Sequence, residues 1–184
     1  MKILFLHLSD AHLRDNTDIR LINMDGIVKS LSQIGKFDEC AIVFSGDVVN
    51  SGDKNAYAKA GRLVGYIAKN ISQKYINKKI VETLIVPGNH DNLVKNKNRD
   101  NFELESYYAK KEVDLKFNED LEQLSNFYTF ANRNRCFSKD KIIDVRRLKF
   151  GKFIIKVNLI NSAPFSLLGS GNRCIIFLCL NCKN

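Results

Sequence analysis

The most constraining stretch of this chain is residues 84–91, which read Leu-Ile-Val-Pro-Gly-Asn-His-Asp. Three apolar residues, two of them β-branched, run into a Pro-Gly break and then into an amide, an imidazole and a carboxylate. This pattern predicts a buried strand that ends in a tight loop carrying three polar side chains. Because open α/β sheets bind ligands just past the carboxyl ends of their strands, the loop is a candidate functional site.

The same arrangement occurs twice more upstream. Each copy is an apolar run followed by ligand-type side chains: residues 2–8 with Asp10 and His12, and residues 41–44 with Gly46, Asp47 and Asn50. In extended backbone, residues two apart point the same way, so Asp10 and His12 can reach one point. Apolar residues between the three runs follow helical spacing, which gives the order β-α-β-α-β. That order predicts an α/β fold with a largely parallel sheet covered by helices.

Local signals set the bounds of the other predicted elements. Thr17 is a candidate N-cap for the first helix, which ends at Gly35, and residues 51–53 open the second helix. Two further helices and two strands follow from apolar spacing: helices over 102–111 and 119–134, and strands over 141–145 and 152–160, with Gly151 near the turn between the strands.

The polar side chains at the three predicted strand ends form one donor set: Asp10, His12, Asp47, Asn50, Asn89, His90 and Asp91. Carboxylate, imidazole and amide groups are ligands for divalent cations such as Mn²⁺, Fe²⁺ and Zn²⁺. The set contains no cysteine, which argues against a structural zinc site. Two such ions held about 4 Å apart bind phosphate oxygens and activate a water for in-line attack, and a carboxylate is the natural bridge between them.

Three motifs, taken together, resemble those of a known family. Asp10-x-His12, Gly46-Asp47-x-x-Asn50 and residues 88–91, each after a predicted strand and in this order, are similar to the first three motifs of the calcineurin-like metallophosphoesterases. The Asn-His-Asp ending resembles the phosphodiesterase and nuclease branches more than the Ser/Thr protein phosphatases. The resemblance implies a layered α/β sandwich and a phosphoester substrate.

The resemblance also implies a role for each residue. Asp10 and His12 would bind one metal ion, Asp47 would bridge two ions, and Asn89 would bind the second. His90 would contact the phosphate and act as general acid, and Asp91 would orient His90. Asn50 would stabilise its own loop. His7, inside the first strand, is not a ligand in this scheme.

The chain departs from the family pattern after His90. The family completes its site with further histidines in a Gly-His pair and a Gly-His-x-His motif, whereas the three histidines here are His7, His12 and His90. We therefore expect residues 1–172 to be a partial metallophosphoesterase domain. We expect residues 173–184, which hold three of the five cysteines, to be an atypical tail that is read out of frame.

Composition excludes some classes of protein. No apolar run reaches the roughly 18 residues of a membrane span, and the first apolar run is too short for a signal peptide, so we expect a cytoplasmic protein that does not bind membranes. The odd number of cysteines argues against a secreted disulfide framework. The net charge of +9 is compatible with nucleic-acid binding, but the basic residues are scattered, which favours a solvated surface.

Three interpretations of function follow. The first is a metal-dependent phosphoesterase with a dinuclear centre, impaired by the absent histidines. The second is a non-catalytic module of the same fold that binds a protein partner. The third is a nuclease that acts on DNA ends, for which positive charge is the supporting feature.

Overall fold

A parallel sheet and an antiparallel sheet form the framework of the chain. The computed structural model describes residues 1–16, 23–75, 82–91, 124–133, 143–161 and 163, and the backbone of 181–183. The parallel sheet has the order β1 (Ile3–Leu8), β2 (Glu39–Phe44) and β3 (Glu82–Ile85). The antiparallel sheet has the order β4 (Ile143–Phe150), β5 (Phe153–Ile160) and β6 (Asn181–Lys183). The predicted α/β class is confirmed, and the predicted strands are present with shifted bounds.

Three helices accompany the sheets in the described part of the chain: α1 (Met24–Ser30), α2 (Lys54–Lys74) and α3 (Ser125–Arg133). The side chain of Asn23 caps α1, whereas the predicted cap Thr17 lies outside the described residues. Gly35 follows this helix with a φ of +77°, as expected for a residue that ends a helix. The predicted helix over 102–111 also lies outside the described residues.

Helix α2 is the longest element and follows its sequence signals closely. Asp53 caps it, because the Asp53 carboxylate accepts hydrogen bonds from the backbone N–H groups of Asn55 and Ala56. The buried residues recur at helical spacing: Ala56, Tyr57, Ala60, Leu63, Val64, Ile67 and Ile71. This stripe packs into the main hydrophobic cluster and fixes the position of the helix start, next to the loop that follows β2.

The register of the parallel sheet brings its three strand ends level. Leu8 at the end of β1 pairs with Phe44 at the end of β2, and Phe44 pairs with Ile85 at the end of β3. Parallel strands point the same way, so the three loops that carry the polar motifs leave one edge of the sheet. The chain order of the motifs thereby becomes a spatial cluster.

Strands β4 and β5 form a hairpin with Gly151 and Lys152 as its two-residue turn. The φ of Gly151 is +54°, a value that hairpin turns of this length require. A Cβ atom at Gly151 would lie 2.9 Å from the Met1 sulfur, so the turn sits beside the start of β1. Strand β4 continues past the predicted end at residue 145, because buried Leu148 and Phe150 alternate with outward-facing charged residues.

The two sheets share one hydrophobic core. The rings of Phe5 in β1 and Phe150 in β4 meet edge to face with centroids 5.6 Å apart. Core residues of β4 and β5 belong to the same buried cluster as those of β2 and α2. Residues 181–183, which lie in the predicted tail, pair antiparallel with β5. None of the described helices is both long enough and apolar enough to cross a lipid bilayer.

The contact between Phe150 and Phe5 allows the packing of the two sheets to be tested by substitution. We expect Phe150→Ala to lower the free energy of unfolding by about 3–5 kcal/mol, because it leaves a cavity at a fully buried position. Ile154→Ala is the matched control on the same hairpin, since Ile154 is 53% exposed and should change the free energy by under about 1 kcal/mol. Urea unfolding measures both. Equal effects of the two substitutions would contradict the packing described above.

Candidate metal centre

The loop after β1 runs alongside the loop after β2. The backbone N–H of Asp10 donates to the Gly46 carbonyl at 3.2 Å, and that of His12 donates to the Asp47 carbonyl at 2.9 Å. The N–H of Asn50 returns a hydrogen bond to the Leu13 carbonyl at 2.9 Å. These bonds extend the parallel pairing beyond the strands and hold the two loops in a fixed register.

Three of the predicted metal ligands have left-handed backbone conformations. The φ angles are +55° for Asp10, +44° for His12 and +51° for Asp47, and among the described residues no other non-glycine residue has a positive φ. Such conformations cost free energy and cluster at functional sites, where surrounding contacts enforce them. Here the inter-loop hydrogen bonds are the enforcing contacts.

Gly88 allows the third loop to approach Asp47 closely. A Cβ atom at Gly88 would lie 2.2 Å from Asp47 Oδ1 and 2.6 Å from the Asp47 nitrogen, distances that no real side chain tolerates. With glycine there, the His90 N–H donates to Asp47 Oδ1 at 2.9 Å. The glycine that precedes the Asn-His-Asp triplet is therefore required by the contact between the two loops.

Three potential metal ligands converge at this edge. One ligand atom each from His12, Asp47 and His90 lies within 4.8 Å of the others. The two imidazole rings meet edge to face with centroids 4.7 Å apart, and Asp10 Oδ1 lies 3.7 Å from His12 Nε2. We call His12, Asp47 and His90 the ligand cluster. Its two imidazoles and one carboxylate suit a borderline divalent cation such as Zn²⁺, Fe²⁺ or Mn²⁺.

An unpartnered nitrogen supports the same assignment. His12 Nδ1 is buried and has no hydrogen-bond partner among the described residues, although buried polar atoms are nearly always paired. Asp10 lies beside the other ring nitrogen, Nε2. One nitrogen of His12 therefore faces a carboxylate, and the other is buried without a partner among the described residues. The donor set and this orphaned atom fit a site for a cation better than they fit a hydrogen-bonded loop.

His90 is held from the backbone of the second loop. Its Nδ1 lies 3.2 Å from the Asn50 carbonyl oxygen, and a carbonyl can only accept, so Nδ1 carries the proton of this hydrogen bond. The resemblance assigns the orienting of His90 to Asp91, whereas this contact comes from Asn50. The backbone carbonyl of Asn50 therefore helps to orient the His90 ring. This contact is separate from the predicted role of Asn50 in stabilising its own loop.

Comparison with known proteins identifies the family of the chain. A family model described as calcineurin-like phosphoesterase matches residues 3–170, a range that contains every residue of the cluster. The chain belongs to this family. No curated protein matched the phosphoesterase in a search of such proteins.

Asn89 lies in the same loop as His90 of the cluster. It begins the 3-10 turn Asn89–Asp91 and is half-buried. Its assignment as a ligand of a second ion remains a prediction.

Asp91 is the most buried polar side chain of the phosphoesterase site. Its Oδ2 accepts hydrogen bonds from the N–H groups of Gly88 at 2.8 Å and Val48 at 3.4 Å, and its Oδ1 accepts from Val49 at 3.2 Å. The hydroxyl of Tyr57 donates to Oδ1 at 2.9 Å. One carboxylate therefore joins the loop after β3, the loop after β2 and helix α2.

Tyr57 is predicted from the sequence only as an apolar position of α2. A buried tyrosine hydroxyl nearly always has a hydrogen-bond partner, which is the sequence signal that could have linked it to the site. Burial, followed by the nearby charge of Asp91 and the hydrogen bond to it, raises the pKa of Tyr57 well above its usual value. The phenol therefore stays protonated and donates to Asp91.

The hydrogen bonds of Asp91 predict a large effect for Asp91→Asn. Replacing either oxygen by NH₂ leaves two donors without an acceptor, so we expect the free energy of unfolding to fall by about 2–4 kcal/mol at pH 7.5. Asp53→Asn is the matched control, because both of its hydrogen bonds go to a single oxygen that asparagine retains. Urea unfolding with a chelator present measures both variants. An unchanged free energy of unfolding in Asp91→Asn would show that these hydrogen bonds do not stabilise the fold.

The pKa of Asp91 predicts a pH dependence. Burial raises this pKa from 3.8 to about 6, although hydrogen bonds from Gly88, Val49 and Tyr57 lower it in part. The folded state thus binds the proton more tightly than the unfolded state, so this stabilising contribution is complete below about pH 4 and is lost as pH rises through about 6. Urea unfolding from pH 4 to 7 should show this fall in the chelated protein and in Asp53→Asn. The fall should be smaller in Asp91→Asn, which lacks this titrating group.

Proposed function

We propose that the chain is a metal-dependent phosphoesterase that hydrolyses phosphodiesters or phosphomonoesters at a dinuclear centre. The observation that supports this best is the convergence of His12, Asp47 and His90 within 4.8 Å at the carboxyl edge of a parallel sheet. Membership of the calcineurin-like phosphoesterases supports the reaction class.

We assign the metal ligands by position in the motifs. Asp10 and His12 would hold one ion, Asp47 would bridge two ions and Asn89 would hold the second, with Mn²⁺, Fe²⁺ or Zn²⁺ as the candidate metals. His90, although it is close enough to be a ligand, is left free for the substrate in this assignment. Bound ions would neutralise the phosphate and lower the pKa of a water for attack on phosphorus. Asp47 is suited to bridging because the His90 N–H engages only its Oδ1, which leaves lone pairs on both oxygens.

His90 is the proposed general acid. The Asn50 carbonyl holds Nδ1, so Nε2 is the nitrogen that can take up a proton and donate it to the leaving oxygen. Asp91 acts one step away, because its carboxylate fixes the backbone of the loop that carries His90. In this proposal Asp91 positions the acid by holding Gly88, Val48 and Val49 in place, without touching substrate.

The activity of this chain by itself is proposed to be weak. Of its three histidines, His12 and His90 belong to the cluster, and His7 Nε2 makes a 2.6 Å hydrogen bond with Ser45 Oγ. The family's later histidine motifs are not among the 184 residues. The division into a domain over 1–172 and an out-of-frame tail over 173–184 stays a prediction, and the downstream DNA sequence tests it: a Gly-His-x-His motif in another frame is the expected result.

The missing histidines also favour a second candidate, a non-catalytic module that binds a protein partner. Metal content separates the two functions. Two ions per chain after dialysis against Mn²⁺ or Zn²⁺ would support the enzyme. One ion or none would support the binding module.

Asp47→Asn tests the enzyme directly. We expect any Mn²⁺-stimulated hydrolysis of bis(p-nitrophenyl) phosphate to fall at least about a hundredfold, because asparagine cannot bridge two cations. The fold should persist, since the asparagine oxygen still accepts from the His90 N–H and asparagine tolerates a positive φ.

The control for this test is Asp53→Asn, which removes an equal charge at the helix cap and should leave hydrolysis unchanged. Elemental analysis of both variants gives the metal bound per chain. Activity that survives in Asp47→Asn would overturn the bridging role of Asp47.

A further inference from the structure

A cavity of about 640 Å³ lies between helices α2 and α3. All of its lining residues in the described part of the chain belong to these two helices, and none is a member of the ligand cluster. The volume falls in the range of about 300–1,000 Å³ that is typical of small-molecule sites. A cavity of this size beside the candidate metal centre has room for a ligand of its own.

The polar part of the lining is positively charged. Lys54 and Arg133 supply two cations, Asn55 and Thr129 supply neutral hydrogen-bonding groups, and none of the lining residues that the structure describes is acidic. Two cations with neutral hydrogen-bonding groups favour an anionic ligand, and phosphate groups are the anions that such sets bind well.

Gly61 keeps the apolar wall of the cavity open. Glycine inside a helix costs about 1 kcal/mol relative to alanine, yet a Cβ atom at Gly61 would meet only Phe130 Cε2, at an ordinary 3.9 Å. Crowding therefore does not require this glycine. Its effect is to leave a flat surface beside Ala58 and the Phe130 ring, against which a planar group can lie.

The cavity wall also connects to the catalytic loops. Tyr57 lines the cavity, stacks on Phe130 with centroids 5.1 Å apart, and donates its hydroxyl to Asp91. Asn126, another lining residue, donates its side-chain N–H to the Gly52 carbonyl just before α2. A ligand here would contact residues that support the loop of His90.

We propose that the cavity between α2 and α3 binds a phosphorylated compound with a planar ring, of the nucleoside monophosphate class. The phosphate lies against Lys54 at one end of the cavity, and the ring lies over Gly61 and Ala58 beside Phe130. The proposal stands on the cavity alone and does not require the ligand cluster to be active.

The test measures binding of adenosine monophosphate by isothermal titration calorimetry. The full chain carries Asp47→Asn and a chelator is present, so that hydrolysis and bound metal play no part. Failure of the proposed phosphoesterase activity would therefore leave this measurement unaffected. Adenosine and ribose 5-phosphate serve as probes that each lack one half of the ligand.

Gly61→Leu fills the cavity, and Gly65→Leu is its matched control. Gly65 lies one turn further along α2 and is exposed, and a Cβ atom placed there would meet no heavy atom within 4 Å. Both substitutions should stabilise the helix, since leucine has the higher helix propensity. We expect Gly61→Leu to weaken adenosine monophosphate binding at least about tenfold and Gly65→Leu to leave it unchanged.

Charge is tested in the same way. Lys54→Gln should weaken binding several-fold, whereas Lys69→Gln, an equal charge change on the same helix outside the cavity lining, should not. No binding at millimolar concentration, or equal binding by Gly61→Leu and Gly65→Leu, would overturn the proposal. Binding of ribose 5-phosphate as tight as that of adenosine monophosphate would overturn the role of the ring.

Discussion

The structure of the site depends on one buried carboxylate. Asp91 accepts hydrogen bonds from three backbone amides and one phenol, and these donors come from the loop after β2, the loop after β3 and helix α2. Asparagine in its place could not satisfy four donors in this geometry, and an unsatisfied buried donor is costly. Burial opposes the charge, as the raised pKa shows, so the carboxylate is retained at an energetic cost.

The strain in the two upstream loops follows from the same arrangement. Asp10, His12 and Asp47 have positive φ angles because the chain turns sharply after each strand while its backbone stays paired with the neighbouring loop. The turn directs carboxylate and imidazole groups over the edge of the sheet, where straight strand extension would direct alternate side chains to opposite faces. Gly46 and Gly88 allow the loops after β2 and β3 to touch, because neither residue has a side chain at the point of contact.

Much of this could be predicted from the sequence, and the limits have physical causes. The strand ends, the cap at Asp53 and the buried stripe of α2 are local features, which periodicity and capping signals encode. The grouping of Asp10, His12, Asp47 and His90 followed from parallel strand order. The hydrogen bond between His90 and the Asn50 carbonyl could not be predicted in this way, because every residue has a backbone carbonyl and the residue type gives no signal. The contact between Tyr57 and Asp91 was missed for a similar reason: it joins residues far apart in the chain, and Tyr57 fits an apolar position equally well.

The two ends of β1 lie in different parts of the molecule. Its carboxyl end leads to Asp10 and His12, whereas its amino end meets the hairpin turn, where Gly151 lies against Met1. Changes at that turn are therefore a full strand length away from the ligand cluster. A peptide epitope inserted between Gly151 and Lys152 would report on the folding of the second sheet and would lie away from the ligand cluster. The hairpin turn is thus a natural attachment point for a label.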